Sequence, residues 1–131
     1  AMVDDLSSED IVNLFMEYIN GKDLDAATAL LSDNCEYDNV PMGKVYGREV
    51  IHEYLQPVME RCSEIEWITV RQTGSEGVVL NERLDRFKWP HGWVEVPVAG
   101  IFEIENGQIT LWRDYFDLPT YINQLPAPSA E

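Results

Sequence analysis

The sequence is short of basic residues. Nine Lys and Arg stand against 24 Asp and Glu, which gives a formal net charge of −15. Proteins that follow phosphate backbones need clustered Lys and Arg to displace counterions, and anionic membrane surfaces attract the same residues. No apolar run approaches the roughly 20 residues that span a bilayer. We therefore expect neither a nucleic-acid partner nor a membrane partner.

Cysteine and histidine are also scarce. Cys35 and Cys62 lack C-x-x-C spacing and fit reduced thiols in the cytoplasm better than a disulfide framework. His52 and His91 stand apart, whereas a metal site normally needs three or four converging ligands. The first residues have neither a basic n-region nor an apolar h-region, so no cleaved signal peptide is expected. The sequence predicts a cytoplasmic protein without a metal or other cofactor.

The remaining composition is typical of a folded protein. Of 131 residues, 45% are hydrophobic and 11% aromatic, which is enough for a core that also encloses a small-molecule cavity. We expect a single domain over 1–131. Residues 1–6 and the Pro-rich end at 126–131 are expected to be loose.

The first half of the chain has helical spacing. A first helix is predicted from Ser7 or Ser8 to Asn20-Gly21, because apolar residues then recur at i, i+3 and i+4. A short helix is predicted within 24–31 and a third within 47–61, which Pro57 should kink or divide. Between these two helices, residues 35–41 alternate and predict an extended strand.

From Ser63 onwards the period changes to two. Four strands are predicted, and Gly-rich or Asn-Gly links between them favour hairpins. The segments are EIEWITVRQT, GVVLNERLDRFKW, GWVEVPVAGIFEIE and QITLWRDYFD. Helices followed by a long antiparallel meander indicate the α+β class, with a curved sheet that wraps the helices and leaves a cone-shaped pocket.

Two of these strands carry the chemistry. Arg83 and Asp85 are two residues apart, so on a strand they share one face with Asn81 and Phe87. The opposite face of this strand is equally mixed, with Leu80, Glu82, Leu84 and Arg86. Hydrophobicity therefore leaves open which face points inward.

Asp114 is the second candidate. It shares a strand face with Trp112 and Phe116, an unusual place for a carboxylate. Burying its charge would be costly unless a cation meets it, and Arg83 is a candidate partner. An exposed, alternating Arg113–Asp114 pair is the alternative.

Three segments carry a family resemblance. NERLD, WRDYFD and the earlier YDN, in this order from Tyr37 to Asp117, resemble segments of limonene-1,2-epoxide hydrolases. The fold implied is shared with nuclear transport factor 2 and ketosteroid isomerase and is also called cystatin-like. The resemblance extends over most of the chain, and the combination is more specific than any one segment.

The resemblance implies roles for five residues. Asp114 would act as general base, Asp85 as general acid, and Arg83 would bridge both carboxyls. Tyr37 and Asn39, also two apart, would hold the attacking water. Two carboxylates and one guanidinium total −1, so one retained proton would make the group neutral in a cavity that penalises net charge.

The substrate expected from this resemblance is a small apolar epoxide, terpene-like or cyclic, opened by water to a vicinal diol without a covalent intermediate. The expected pocket wall consists of Phe87, Val96, Val98 and Phe116, with Leu31 or Met59 as further candidates. A homodimer is expected as well. The alternatives on the same fold are an isomerase or cyclase and a non-catalytic module that binds apolar ligands.

Overall fold

The computed structural model describes residues 6–126. The predicted loose ends fall, except for Leu6 and Pro126, outside this range. Within it the chain forms four helices and six strands. In chain order they are α1 (Ser8–Asn20), α2 (Leu24–Ala29), β1 (Leu31–Asn39), β2 (Gly43–Tyr46), α3 (Arg48–Arg61), β3 (Glu64–Ser75), β4 (Val78–Trp89), β5 (Gly92–Glu105), β6 (Gln108–Tyr115) and α4 (Leu118–Ile122).

Helix α1 begins where the sequence predicts. Ser7 Oγ accepts a hydrogen bond from the backbone N–H of Asp10 at 3.0 Å, and the Asp10 carboxylate accepts one from the backbone N–H of Ser7 at 3.1 Å. This reciprocal capping satisfies two N–H groups that the first turn leaves free. The apolar face of α1 is buried in the main core, with Phe15 edge-on to Trp112 at 5.0 Å between ring centroids.

Helix α2 is shorter than predicted. It ends at Ala29, and Leu31 begins β1 instead of continuing the helix. The reason is tertiary, because Leu31 pairs with Ile109 in the parallel contact between β1 and β6. Helix α3 runs from Arg48 to Arg61 as one helix with Pro57 inside it, so of the two predicted effects of this proline, a kink or a division, the division does not occur.

The six strands form one sheet in the order β2-β1-β6-β5-β4-β3. Strands β3 to β6 are the predicted meander, and two of its turns, Glu76-Gly77 and Asn106-Gly107, have positive φ at both residues, as a two-residue hairpin of type I′ requires. Strand β1 adds a parallel pairing with β6. The α+β class and the helix-covered, mainly antiparallel sheet are confirmed.

The inner face of the sheet forms the core with α1 to α3, and a smaller apolar cluster lies around Val94, Val96 and Val98. Strand β2 and helix α4 were not predicted. Asp117 caps α4 by accepting a hydrogen bond from the N–H of Thr120 at 3.0 Å. Among the helices of residues 6–126, none has both the length and the apolar character needed to cross a membrane.

Candidate active site

The sheet register brings three strands together at the site. Gly100 of β5 lies opposite Asn81 of β4 and opposite Asp114 of β6. Arg83 and Asp85 follow Asn81 on the same face of β4, which is the inner face. Because Gly100 has no side chain, Arg83 reaches over it to Asp114, two strands away.

Arg83 binds both carboxyl groups with two hydrogen bonds each. Its Nε and Nη2 donate to Asp85 at 3.0 and 2.9 Å. Its Nη1 and Nη2 donate to Asp114 at 3.1 and 2.9 Å. A guanidinium matches carboxylate geometry in this way, so each pair fixes the orientation of a carboxyl as well as its position.

The three charged side chains are taken out of water together. The exposed fraction is 0% for the Arg83 side chain, 6% for Asp85 and 5% for Asp114. The guanidinium carbon also lies 5.6 Å from the ring centre of Trp67 and 6.0 Å from that of Phe102, where aromatic faces attract a cation. An unpaired charge in such a place would be strongly destabilising.

Burial governs the ionisation of Asp85. Removal from water raises its pKa from 3.8 to about 6, against the opposing effect of Arg83 and with a further rise from the charge of Asp114. Burial disfavours the charge of Arg83, but Asp114 and Asp85 together leave its pKa above the usual value. Asp85 therefore keeps a proton on its carboxyl to a higher pH than an exposed aspartate does.

Tyr37 and Asn39 lie beside Asp114. They occupy β1, where Asn39 pairs in register with Asp114 and Tyr37 with Trp112. The Tyr37 ring stacks on Trp112 at 3.8 Å between centroids. Burial, and next the charge of Asp114, raise the pKa of the Tyr37 hydroxyl, so it stays protonated and able to donate. Both side chains line one cavity with Asp114.

That cavity has a volume of about 240 Å³. At roughly 30 Å³ per water molecule it has the size of a small organic molecule. Eight of the nine predicted site residues line it, and Arg83 lies behind the two carboxyls, fully buried. The eight are Tyr37, Asn39, Asp85, Phe87, Val96, Val98, Asp114 and Phe116.

Other lining residues were missed or only suggested. Met59 lines the cavity as suggested, whereas Leu31 is buried in the main core and does not. The apolar pattern of α3 contained the signal for Tyr54, Leu55 and Val58, and the alternation of β3 contained that for Trp67. Met42 lies in the turn before β2 and Tyr121 in α4, and the sequence indicated neither of these elements. Within residues 6–126 no group of three His, Cys, Asp or Glu is placed to hold a metal ion.

The fold is that of nuclear transport factor 2. An NTF2-like protein of unknown function from Cytophaga hutchinsonii superposes with a TM-score of 0.73 at 19% identity, over 92% of this chain and 97% of that one. This likeness concerns the fold alone.

The family follows from closer matches. The family model of the limonene-1,2-epoxide hydrolase catalytic domain matches residues 7–127, so the chain belongs to the limonene-1,2-epoxide hydrolase family. It is 33% identical to epoxide hydrolase EphG of Mycobacterium tuberculosis over 109 residues, 82% of this chain and 71% of that protein. The structure of an LEH-like epoxide hydrolase from M. tuberculosis superposes with a TM-score of 0.80 at 30% identity, covering 88% of this chain and 86% of the other.

Proposed function

We propose that this epoxide hydrolase opens a small apolar epoxide, terpene-like or cyclic, by direct attack of water, in one step and without a covalent intermediate. One observation carries the proposal: Asp85 and Asp114 both line the cavity while a single buried guanidinium binds them. Such a pair supplies a proton acceptor and a proton donor on one small substrate.

In this mechanism Asp114 is the base. It takes a proton from a water molecule that Tyr37 and Asn39 orient, and the water oxygen forms a bond to one epoxide carbon. The neighbours of Asp114 support the assignment, because Asn39 lies directly opposite Asp114 in the strand register and Tyr37 lines the same cavity. Orientation of this kind lowers the entropic part of the barrier.

Asp85 is the acid. As the carbon–oxygen bond of the epoxide breaks, the oxygen takes the proton of Asp85, and the product is a vicinal diol. The raised pKa of Asp85, caused by burial, supports this role. Turnover leaves the proton on Asp114, and it must return to Asp85 before the next cycle. Arg83 keeps its charge throughout and holds both carboxyls in place.

The cavity wall supports an apolar substrate. Apart from the carboxyls, Asn39, the tyrosine hydroxyls and the Trp67 indole, the cavity is lined by aliphatic, aromatic and thioether side chains. Apolar walls also keep water from competing with the one molecule that reacts. An isomerase or cyclase would need a single base opposite a hydrogen-bond donor that stabilises an oxyanion. In this cavity two carboxyls are instead bound by one cation.

The test is a product assay with purified protein. Cyclohexene oxide and limonene-1,2-epoxide are incubated with wild type and with Asp114→Asn, and products are identified by mass spectrometry. Hydrolysis adds one water to the substrate mass, whereas isomerisation leaves the mass unchanged. A diol formed by wild type and not by the variant supports the proposal. A product of unchanged mass would refute it.

We also propose a homodimer. The outer face of the sheet exposes apolar side chains on β3, β4 and β6, among them Ile68 (45% exposed), Leu80 (45%) and Tyr115 (45%). Exposed apolar side chains on one sheet face favour an interface, and the same face of a second copy would bury them symmetrically. We propose the cytoplasm as the compartment of this protein. The free, buried thiols of Cys35 and Cys62 support it, because thiols stay reduced there.

A further inference from the structure

Asn81 takes up the one N–H of Arg83 that the carboxyls leave free. A guanidinium has five N–H groups. Four of them donate to Asp85 and Asp114. The fifth, on Nη1, donates to Asn81 Oδ1 at 3.1 Å. Asn81 is 6% exposed and does not line the cavity, so it contacts Arg83 from behind the reacting groups.

A second amide fixes the orientation of Asn81. Its Nδ2 donates to Gln72 Oε1 at 3.2 Å, so its oxygen is the atom that faces Arg83. Gln72 in turn donates to Asn13 Oδ1 at 3.0 Å and to Glu9 Oε1 at 3.4 Å, both on α1. The guanidinium is thereby tied through two neutral amides to the first helix.

A β-bulge places Gln72 for this contact. Thr69 pairs with Arg83 and Arg71 with Glu82, so β3 has one extra residue, Val70, against β4. Side chains alternate along a strand, and an extra residue reverses which ones face inward. Beyond the bulge Gln72 stands directly opposite Asn81 on the inner face. If Val70 were paired instead of bulged, the unbroken alternation from Thr69 would turn Gln72 outward.

We propose that Asn81, supported by Gln72, is a positioning residue for epoxide hydrolysis, which holds Arg83 over Gly100 so that both carboxyls keep their places in the cavity. This inference rests on the proposed function. Its physical basis is the neutrality of the acceptor, because a carboxylate at position 81 would add a third negative charge beside one guanidinium. An apolar residue there would leave a buried N–H of Arg83 without a partner.

Two variants of similar size separate these effects. In Asn81→Leu the guanidinium loses a hydrogen-bond acceptor, and kcat is expected to fall roughly 10- to 100-fold while KM changes less than about threefold, because the reacting groups are displaced but the cavity wall is intact.

In Asn81→Asp the hydrogen-bond acceptor remains, but its negative charge raises the pKa of Asp85. The alkaline limb of the activity profile should then move to higher pH by about one unit. Two further titratable groups lie nearby: Glu9, which accepts a hydrogen bond from Gln72, and Tyr37, whose hydroxyl is under the influence of the Asp85 charge.

The control variant is Thr28→Val. It removes a buried hydroxyl that donates to Leu24 O at 2.8 Å in α2, away from the cavity. We expect lower stability with an unchanged pH profile. Gln72→Leu should reproduce a smaller part of the Asn81→Leu effect. If both Asn81 variants have the wild-type kcat and alkaline limb, or if they lose stability only, as Thr28→Val does, the inference is wrong.

A measurement without substrate keeps this inference separate from the proposed function. The pKa of Asp85 can be followed by carbon NMR of its carboxyl group in the full chain. It should be raised in Asn81→Asp whether or not any epoxide is hydrolysed. A wild type that makes no diol would refute the proposed function, whereas an unchanged pKa of Asp85 in this variant would refute the role of Asn81.

Discussion

Gly100 lies so close to Arg83 that a Cβ added at Gly100 would stand 2.3 Å from Nη1 of the guanidinium. Cβ atoms essentially never lie so close to another atom. The added Cβ could not shift aside either, since Asn81 Oδ1 would be 2.7 Å and Asp114 Oδ1 3.1 Å away. The path of the arginine across the sheet therefore requires glycine at this position.

Gly100→Ala should accordingly reduce kcat by at least about 100-fold, because the guanidinium must move away and at least one carboxyl loses its partner. Steady-state hydrolysis of an epoxide that wild type accepts gives the answer. Gly21→Ala is the matched control. Gly21 has φ −80° and ends α1 far from Arg83, so activity should stay within about twofold. An active Gly100→Ala enzyme would contradict the arrangement.

Asp85→Asn and Asp114→Asn should each lower kcat roughly 100- to 10,000-fold, because each removes one of the two proton-transfer groups. The fold should survive, since the remaining carboxylate and Arg83 form a neutral pair. Turnover is measured together with circular dichroism. Asp33→Asn, whose side chain is 92% exposed, is the control with wild-type activity. Near-wild-type turnover by either site variant would refute the assignment of Asp85 as the acid and Asp114 as the base.

Stability should depend on pH through Asp85. Its pKa is raised in the folded chain, from 3.8 to about 6, so the folded state holds the proton more tightly than the unfolded state. The stabilisation is complete below pH 3.8 and is lost as the pH rises through about 6. Urea unfolding between pH 4 and pH 7 should show this loss in wild type and in Asp33→Asn. An equal loss in Asp85→Asn would show that another group causes it.

A single turnover in ¹⁸O-labelled water should place the label in the diol and none in the protein, because the water that Asp114 activates attacks carbon directly. Mass spectrometry of both products decides this. An aspartate that attacked first would form an ester and acquire the label when water cleaved it. Label in the carboxyl of Asp85 or Asp114, or a trapped ester, would rule out the one-step mechanism.

Light scattering of wild type at micromolar concentration should give twice the mass of the chain. Leu80→Lys should give the mass of one chain, because a charge on the outer sheet face prevents burial of this face against a second copy. Val50→Lys on α3 adds the same charge at an equally exposed position, 47% against 45%, and should remain dimeric. A monomeric wild type would refute the dimer.

The inner face of β4 shows why the site could be predicted only in part. The spacing of Asn81, Arg83 and Asp85 placed them on one face, but hydrophobicity did not say which face was inside. The structure turns the charged face inward and leaves Leu80 45% exposed. The partners of Arg83 explain this choice. Asn81 and Asp85 on β4 and Asp114 on β6 accept all five hydrogen bonds that the buried arginine donates, and only the sheet register brings Asp114 into reach.

The sequence by itself determined the starts of α1 to α3, the four-stranded meander and the residue pairs that share a face, because helix-start signals, turn residues and the two-residue period act locally. Tertiary structure decided the rest. The parallel pairing of β1 with β6 ended α2 early and set Asn39 opposite Asp114. The bulge at Val70 turned Gln72 inward, and Gly100 opened the path that joins Arg83 to a carboxyl two strands away. Contacts between residues distant in sequence have no local signal, so they follow from packing alone.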